Sequence, residues 1–160
     1  MNLKKCENTR IGNPDRGVKG ISGGERRRLA FASEVITNPS ILFCDEPTSG
    51  LDSYMAISLI ECMKCLAESG KTIICTIHQP SSELFERFDR LCLMSEGRLA
   101  FMGNPSTACD FFDTVNFSCP PKYNPADHYI KVLSVLPSDE LNSKERIKVI
   151  KFLSISLLID

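Results

Sequence analysis

Two adjacent carboxylates, Asp45 and Glu46, close the apolar run Ile41-Leu42-Phe43-Cys44. A continuous apolar run, with no polar alternation, predicts a strand buried on both faces. In open α/β sheets ligands sit beyond the carboxyl ends of the strands, where these acids fall. An aspartate there can hold Mg²⁺, mostly through water, while the next carboxylate can orient or deprotonate a water facing a γ-phosphate. The plainer alternative is that both acids cap the turn at Pro47-Thr48-Ser49-Gly50. His78 ends a second apolar run, Thr72 to Ile77. A right-handed crossover sets this strand parallel to Ile41–Cys44, about 4.8 Å away if adjacent, so His78 and the two acids share one edge. A single histidine at a strand end is usually structural, but beside two acids it can donate a hydrogen bond to a γ-phosphate oxygen.

A second constellation is Ile21-Ser22-Gly23-Gly24-Glu25-Arg26-Arg27-Arg28, directly ahead of an apolar helix. Ser22-x-x-Glu25 fits a capping box, in which serine and glutamate satisfy orphan amides at a helix start. A cap alone does not require two glycines. Gly23 and Gly24 remove side chains from the first turn, so a phosphate can approach backbone amides at the positive end of the helix dipole. The three arginines oppose that dipole unless anions lie nearby.

The elements that must position these residues alternate from about residue 23 to 102, the mark of an α/β domain with a largely parallel sheet. Helices are expected over 23–37 and 53–69, the second closed by Gly70, with the two strands between and after them. A short helix over 81–88 leads to strands at 90–94 and 99–102 around Glu96-Gly97, a hairpin turn. Pro105 opens another helix, residues 116–125 form a connector, and 127–136 returns to helical spacing. Residues 1–137 are expected to form the domain and 138–160 a linker or tail, ending in a terminal amphipathic helix at most.

The 160 residues carry 42% hydrophobic and 24% charged side chains, suited to one modest core. The net charge of −1 supplies no bulk attraction to nucleic acid or an anionic membrane, so nucleic acid is not an expected partner. Eight cysteines without a leading signal peptide read as reduced thiols. Cys62 and Cys65 have Cys-x-x-Cys spacing but no second pair to complete zinc coordination, and they are expected to be buried structural thiols. No stretch of 18 apolar residues is present to span a membrane.

In order and spacing these strings resemble an ATP-binding cassette of the ABC transporters over roughly residues 9–148. Ser22-Gly23-Gly24-Glu25 resembles the signature motif, Ile41–Glu46 the Walker B strand, Ser49-Gly50-Leu51-Asp52-Ser53 the D-loop, and His78 the switch histidine. The glutamate of the signature, Thr76-Ile77-His78-Gln79-Pro80-Ser81-Ser82-Glu83 and Asn124-Pro125-Ala126-Asp127 are similar to the G subfamily, and within it to the white/scarlet-like half-transporters of eye-pigment precursors. The resemblance implies part of a P-loop NTPase fold of the ABC-ATPase type, with a mostly parallel sheet, helices on both faces and a short C-terminal helical extension. It implies ATP and Mg²⁺ as cofactors, with Asp45 holding the metal, Glu46 acting as general base or water-orienting carboxylate and His78 on the γ-phosphate. Ser22, Gly23, Gly24 and Glu25 would meet a nucleotide bound by a second cassette, and Asp52 would act across that dimer, although helix capping explains Asp52 equally well. The partners implied are a second half-transporter, identical or different, a transmembrane domain outside this chain, and a small-molecule substrate. The location implied is the cytoplasmic face of a membrane, with the isolated chain cytosolic.

Two features depart from the family pattern: Asn13-Pro14-Asp15-Arg16-Gly17-Val18 is one residue longer, and the tail after about Ile150 is more apolar. The family's Walker A loop, adenine-stacking aromatic and Q-loop precede the signature and are expected before Met1. Their absence predicts an unpaired apolar strand edge, poor solubility and no hydrolysis by this chain alone. Gly70-Lys71-Thr72 resembles the end of a phosphate-binding loop, but Cys65 stands where its first glycine belongs and a strand, not a helix, follows. An inactive fragment that pairs with intact cassettes, and an ABC ATPase without a membrane domain, are the alternatives.

Overall fold

A computed structural model describes residues 3–13 and 16–156. Pro14 and Asp15, within the segment that departs from the family pattern, and residues 157–160 of the apolar tail lie outside the described residues. The chain forms two compact units, Met1–His78 and Gln79–Asp160.

The first unit holds α1 (Gly23–Ile36), β1 (Ile41–Asp45), α2 (Ser53–Glu68) and β2 (Thr72–Thr76). Each helix starts on a side-chain cap: Ser22 for α1, in a complete capping box with Glu25, and Asp52 for α2. Gly70, at φ +95, is the left-handed residue after α2 that lets the chain turn into β2. Lys71 donates to Asn38 Oδ1 at 2.6 Å and to the Pro39 carbonyl at 3.0 Å, so the Gly70-Lys71-Thr72 decoy ties two loops together at the start of a strand.

β1 and β2 pair in parallel, with Ile41 opposite Thr72 and Asp45 opposite Thr76. One face of the pair carries Leu42, buried, and Cys44, Ile73 and Cys75, half-buried; α2 packs against β2 with Leu59, Ile60 and Met63 buried. The other face carries Ile41, Phe43 and Ile74, which are 54%, 77% and 52% exposed. The expectation of strands buried on both faces is therefore met on one face only among the described residues. A continuous apolar run reports the surroundings a strand suits, and no described element lies over this face. Cys62 is half-buried and Cys65 exposed, because Leu59, Ile60 and Met63 take the inner stripe of α2; the expectation that both thiols are buried fails for Cys65.

The second unit begins with α3 (Ser82–Phe85), a four-residue helix capped by Ser81, and continues with β3 (Leu91–Ser95) and β4 (Arg98–Gly103). These two strands form an antiparallel hairpin whose turn residues Glu96 and Gly97 both have positive φ, +51 and +68. Prolines at the first position open α4 (Pro105–Thr114) and α5 (Pro125–Leu133), as their fixed φ favours. The core is aromatic: Phe112 stacks on Tyr129 at 4.2 Å between centroids, with Phe101, Phe111 and Phe85 around them.

The segment set apart as a linker or tail contains α6 (Glu140–Ser156), which packs on β4 and α5. Ile147 and Ile150 are buried in it, and the Arg146 guanidinium donates to the carbonyls of Val132 (2.8 Å) and Ser134 (3.1 Å) at the end of α5. A side chain here satisfies carbonyls that a helix end leaves without partners.

Candidate functional site

The parallel register brings the ends of β1 and β2 to one edge. Asp45 stands opposite Thr76, and Glu46 and His78 follow within two residues on the two strands. All three side chains belong to exposed residues. Thr76 Oγ1 donates to Asp45 Oδ1 at 2.5 Å, and the same hydroxyl accepts from the Glu46 amide at 2.9 Å. Asp45 thus offers a carboxylate anchored through one oxygen, a hard donor suited to Mg²⁺. Among the described residues no cluster of three or more His, Cys, Asp or Glu side chains could cage a metal. One carboxylate with waters and substrate phosphates is how Mg²⁺ is commonly held, so the residues present fit that ion.

The glycines of the second constellation differ from each other. A side chain on Gly23 would meet nothing within 4 Å, so the helix start is open there, whereas one on Gly24 would meet Leu51. Ser22 Oγ accepts from the Glu25 amide at 3.2 Å. Glu25 Oε2 in turn accepts from the Ser22 amide at 2.8 Å, and that hydrogen bond leads the causes that hold its carboxyl below the usual range. The Glu25 carboxylate is therefore engaged in the cap of its own helix. Asp52 Oδ1 accepts from the Met55 amide at 2.9 Å, the capping role that its position allows.

Two residues that sequence left without roles connect these groups. Arg27 Nη1 donates to the Glu46 carbonyl at 2.6 Å, joining α1 to the end of β1. Arg26 turns to the carbonyls of Ile11 and Gly12, and Arg28 is buried. The positive charge of the arginine run is thus directed at protein carbonyls at two positions. Thr76 is the other residue; its place two positions before His78 and its short hydroxyl were the available signals, but the partner lies 31 positions away.

Comparison with known proteins agrees with this order of elements. Residues 1–49 match the family model described as ABC transporter, and residues 78–155 match the one described as ABC-2 type transporter. The chain is 60% identical over 147 residues to Protein white of Drosophila melanogaster, covering 92% of this chain and 21% of that one. It is 52% identical over 142 residues to Protein scarlet of the same organism, covering 89% and 21%. Over most of its length the chain is similar to the ABC transporter family, with white- and scarlet-like members of the G subfamily among its relatives. It spans about a fifth of the length of these relatives. An ATP-binding cassette of an ABC transporter in its ADP conformation shares the fold at a TM-score of 0.52 and 23% identity, over 69% of this chain and 40% of that one. The cassette assignment accounts for the α/β fold with β1 and β2 in parallel. Among the described residues no helix is long and apolar enough to cross a membrane.

Proposed function

We propose that this chain supplies the signature, Walker B, D-loop and switch-histidine residues of an ATP-hydrolysing cassette that drives small-molecule transport across a membrane. The observation that supports this reading is the in-register parallel pairing that sets Asp45 opposite Thr76 at the ends of β1 and β2, with Glu46 one residue and His78 two residues further along the chain. Asp45 holds Mg²⁺, which supplies charge neutralisation on the phosphates. Glu46 orients a water and takes its proton as the water oxygen bonds to the γ-phosphorus and the β–γ bridging P–O bond breaks, with ADP leaving. His78 donates to a γ-phosphate oxygen, where negative charge is concentrated.

Ser22, Gly23 and Gly24 serve a different nucleotide, one held on a second cassette. Support comes from the open space at Gly23 and the helix amides behind it. Asp52 caps α2 at the end of the loop through which Leu51 meets Gly24, a placement that suits communication across a cassette dimer. No Gly-x-x-x-x-Gly-Lys-Ser/Thr stretch occurs in these 160 residues, and none of them is assigned the nucleotide-cradling amides of the Asp45–Glu46–His78 site.

The test is a chimera in which this chain replaces the matching stretch of the Drosophila white protein. Glu46→Gln in that chimera is expected to keep ATP binding and lower hydrolysis by roughly 10²- to 10⁴-fold, the usual worth of a general base. Undiminished hydrolysis would remove Glu46 from that role.

A further inference from the structure

Glu46 carries the proposed base on an unusual backbone. Its φ is +42, in the left-handed region that residues other than glycine rarely occupy. The direction of a Cα–Cβ bond is set by the two peptide planes that flank it, and both planes flanking Glu46 are held. On the N-terminal side its amide donates to the Thr76 carbonyl at 3.1 Å and to Thr76 Oγ1 at 2.9 Å. On the C-terminal side its carbonyl accepts from Arg27 Nη1 at 2.6 Å. The Thr76 hydroxyl also donates to Asp45 Oδ1, so one oxygen links the magnesium-side carboxylate to the backbone of the base. Arg27 lies three residues beyond Gly24 on α1, so the same clamp reaches the helix that opens at the signature.

We propose that Thr76 and Arg27 are positioning residues that aim the Glu46 carboxylate, and that Arg27 makes the signature helix and the base of the same chain move as one piece. A signature seated on a partner's nucleotide then sets the orientation of this chain's own base. The proposal rests on the reading of Glu46 as the general base. Neither side chain is assigned a contact to the nucleotide. Each acts through hydrogen bonds to backbone or to Asp45, and a hydrogen bond that holds geometry matters to the chemical step more than to binding.

The experiment measures Mg-ATP hydrolysis and ATP binding by the same chimera with the Drosophila white protein, assembled as a dimer. Thr76→Val keeps the shape of the side chain without its hydroxyl, and Arg27→Gln shortens the side chain and removes the charge. Each is expected to lower kcat by about tenfold or more while KM and ATP affinity stay within about twofold. Thr76→Ser and Arg27→Lys keep a hydroxyl and a cationic donor, and recover most of the rate. In the Glu46→Gln background neither Thr76→Val nor Arg27→Gln lowers the residual rate further, because the group they aim is already gone. If Glu46→Gln is inactive but Thr76→Val and Arg27→Gln hydrolyse at the parent rate, the clamp is overturned and the base assignment stands. A fall in kcat that Ser and Lys do not recover, or that adds fully to Glu46→Gln, marks a purely structural role and also overturns it. If Glu46→Gln hydrolyses normally, the base assignment fails and the clamp falls with it.

Discussion

Gly24 and Leu51 meet without room for a methyl group: a β-carbon on Gly24 would lie 2.9 Å from Leu51 Cδ2. The helix that opens at the signature is thus seated on the loop that ends at Asp52, through the end of a flexible side chain. Gly24→Ala gains helix propensity of up to about 1 kcal/mol and loses a similar amount to crowding, so stability should change by less than about 1 kcal/mol. Gly24→Val, which cannot be accommodated by a small swing of Leu51, should cost about 2 kcal/mol, and Leu51→Ala should recover part of that. Urea unfolding of Gly24→Ala, Gly24→Val and the Gly24→Val/Leu51→Ala double variant checks this; an unchanged Gly24→Val protein would show that the two residues do not press on each other.

Cys75 faces Cys44 across the parallel pair, and burial, then Cys44 itself, push its thiol up to about 12 from an ordinary 9.0. A raised folded value means that the folded state holds the proton more tightly. The associated stability is complete below about 9 and is lost as pH rises toward about 12. Thiolate is the reactive form, so at pH 8 iodoacetamide should label exposed Cys65 and Cys92 well before Cys75, as read by mass spectrometry. Equal labelling rates would contradict the burial of this thiol.

The capping box of α1 has the opposite sign. Hydrogen bonds from Ser22 hold the Glu25 carboxyl below its usual 4.5, so the box is intact above that value and weakens as pH falls through the lowered one. The Ser22 amide resonance should report this titration. In Glu25→Gln, which retains the acceptor, the same resonance should show no acid titration. A Ser22 amide that ignores pH in the parent chain would mean that the box does not form in solution.

Arg146 joins α6 to the end of α5 by two hydrogen bonds to backbone carbonyls. Arg146→Ala removes both and leaves those carbonyls to water, so unfolding of the chain should be easier by about 2 kcal/mol. Arg146→Lys can replace one of the two and should fall between. If the alanine variant unfolds as the parent does, α6 is held by Ile147 and Ile150 alone.

The candidate site was legible wherever its chemistry is local. Ser22 to Glu25, Asp45-Glu46 and Asp52 announce themselves because capping, a helix-start glycine pair and a strand-end acid pair depend on neighbours within four positions. The parallel pairing of β1 and β2 was also within reach, since a helix of fixed hand between two apolar strands leaves few arrangements. What sequence misjudged was coverage: Phe43 sits in an unbroken apolar run and is 77% exposed. It also undervalued residues 140–156, whose uneven polarity hides that Ile147 and Ile150 are buried.

By itself, then, the order of residues carried the motifs that resemble a family and named the candidate side chains, while spacing of 2 and 3.6 residues marked the strands and helices that hold them. Only the tertiary structure decided that Thr76 joins Asp45 to Glu46, that Arg27 reaches the Glu46 carbonyl and that Gly24 rests on Leu51. Each of those contacts spans between 19 and 31 positions for the hydrogen bonds, and depends on strand register and helix placement. A slip of one residue in β2 would turn Thr76 to the opposite face and undo the link, while leaving every motif unchanged.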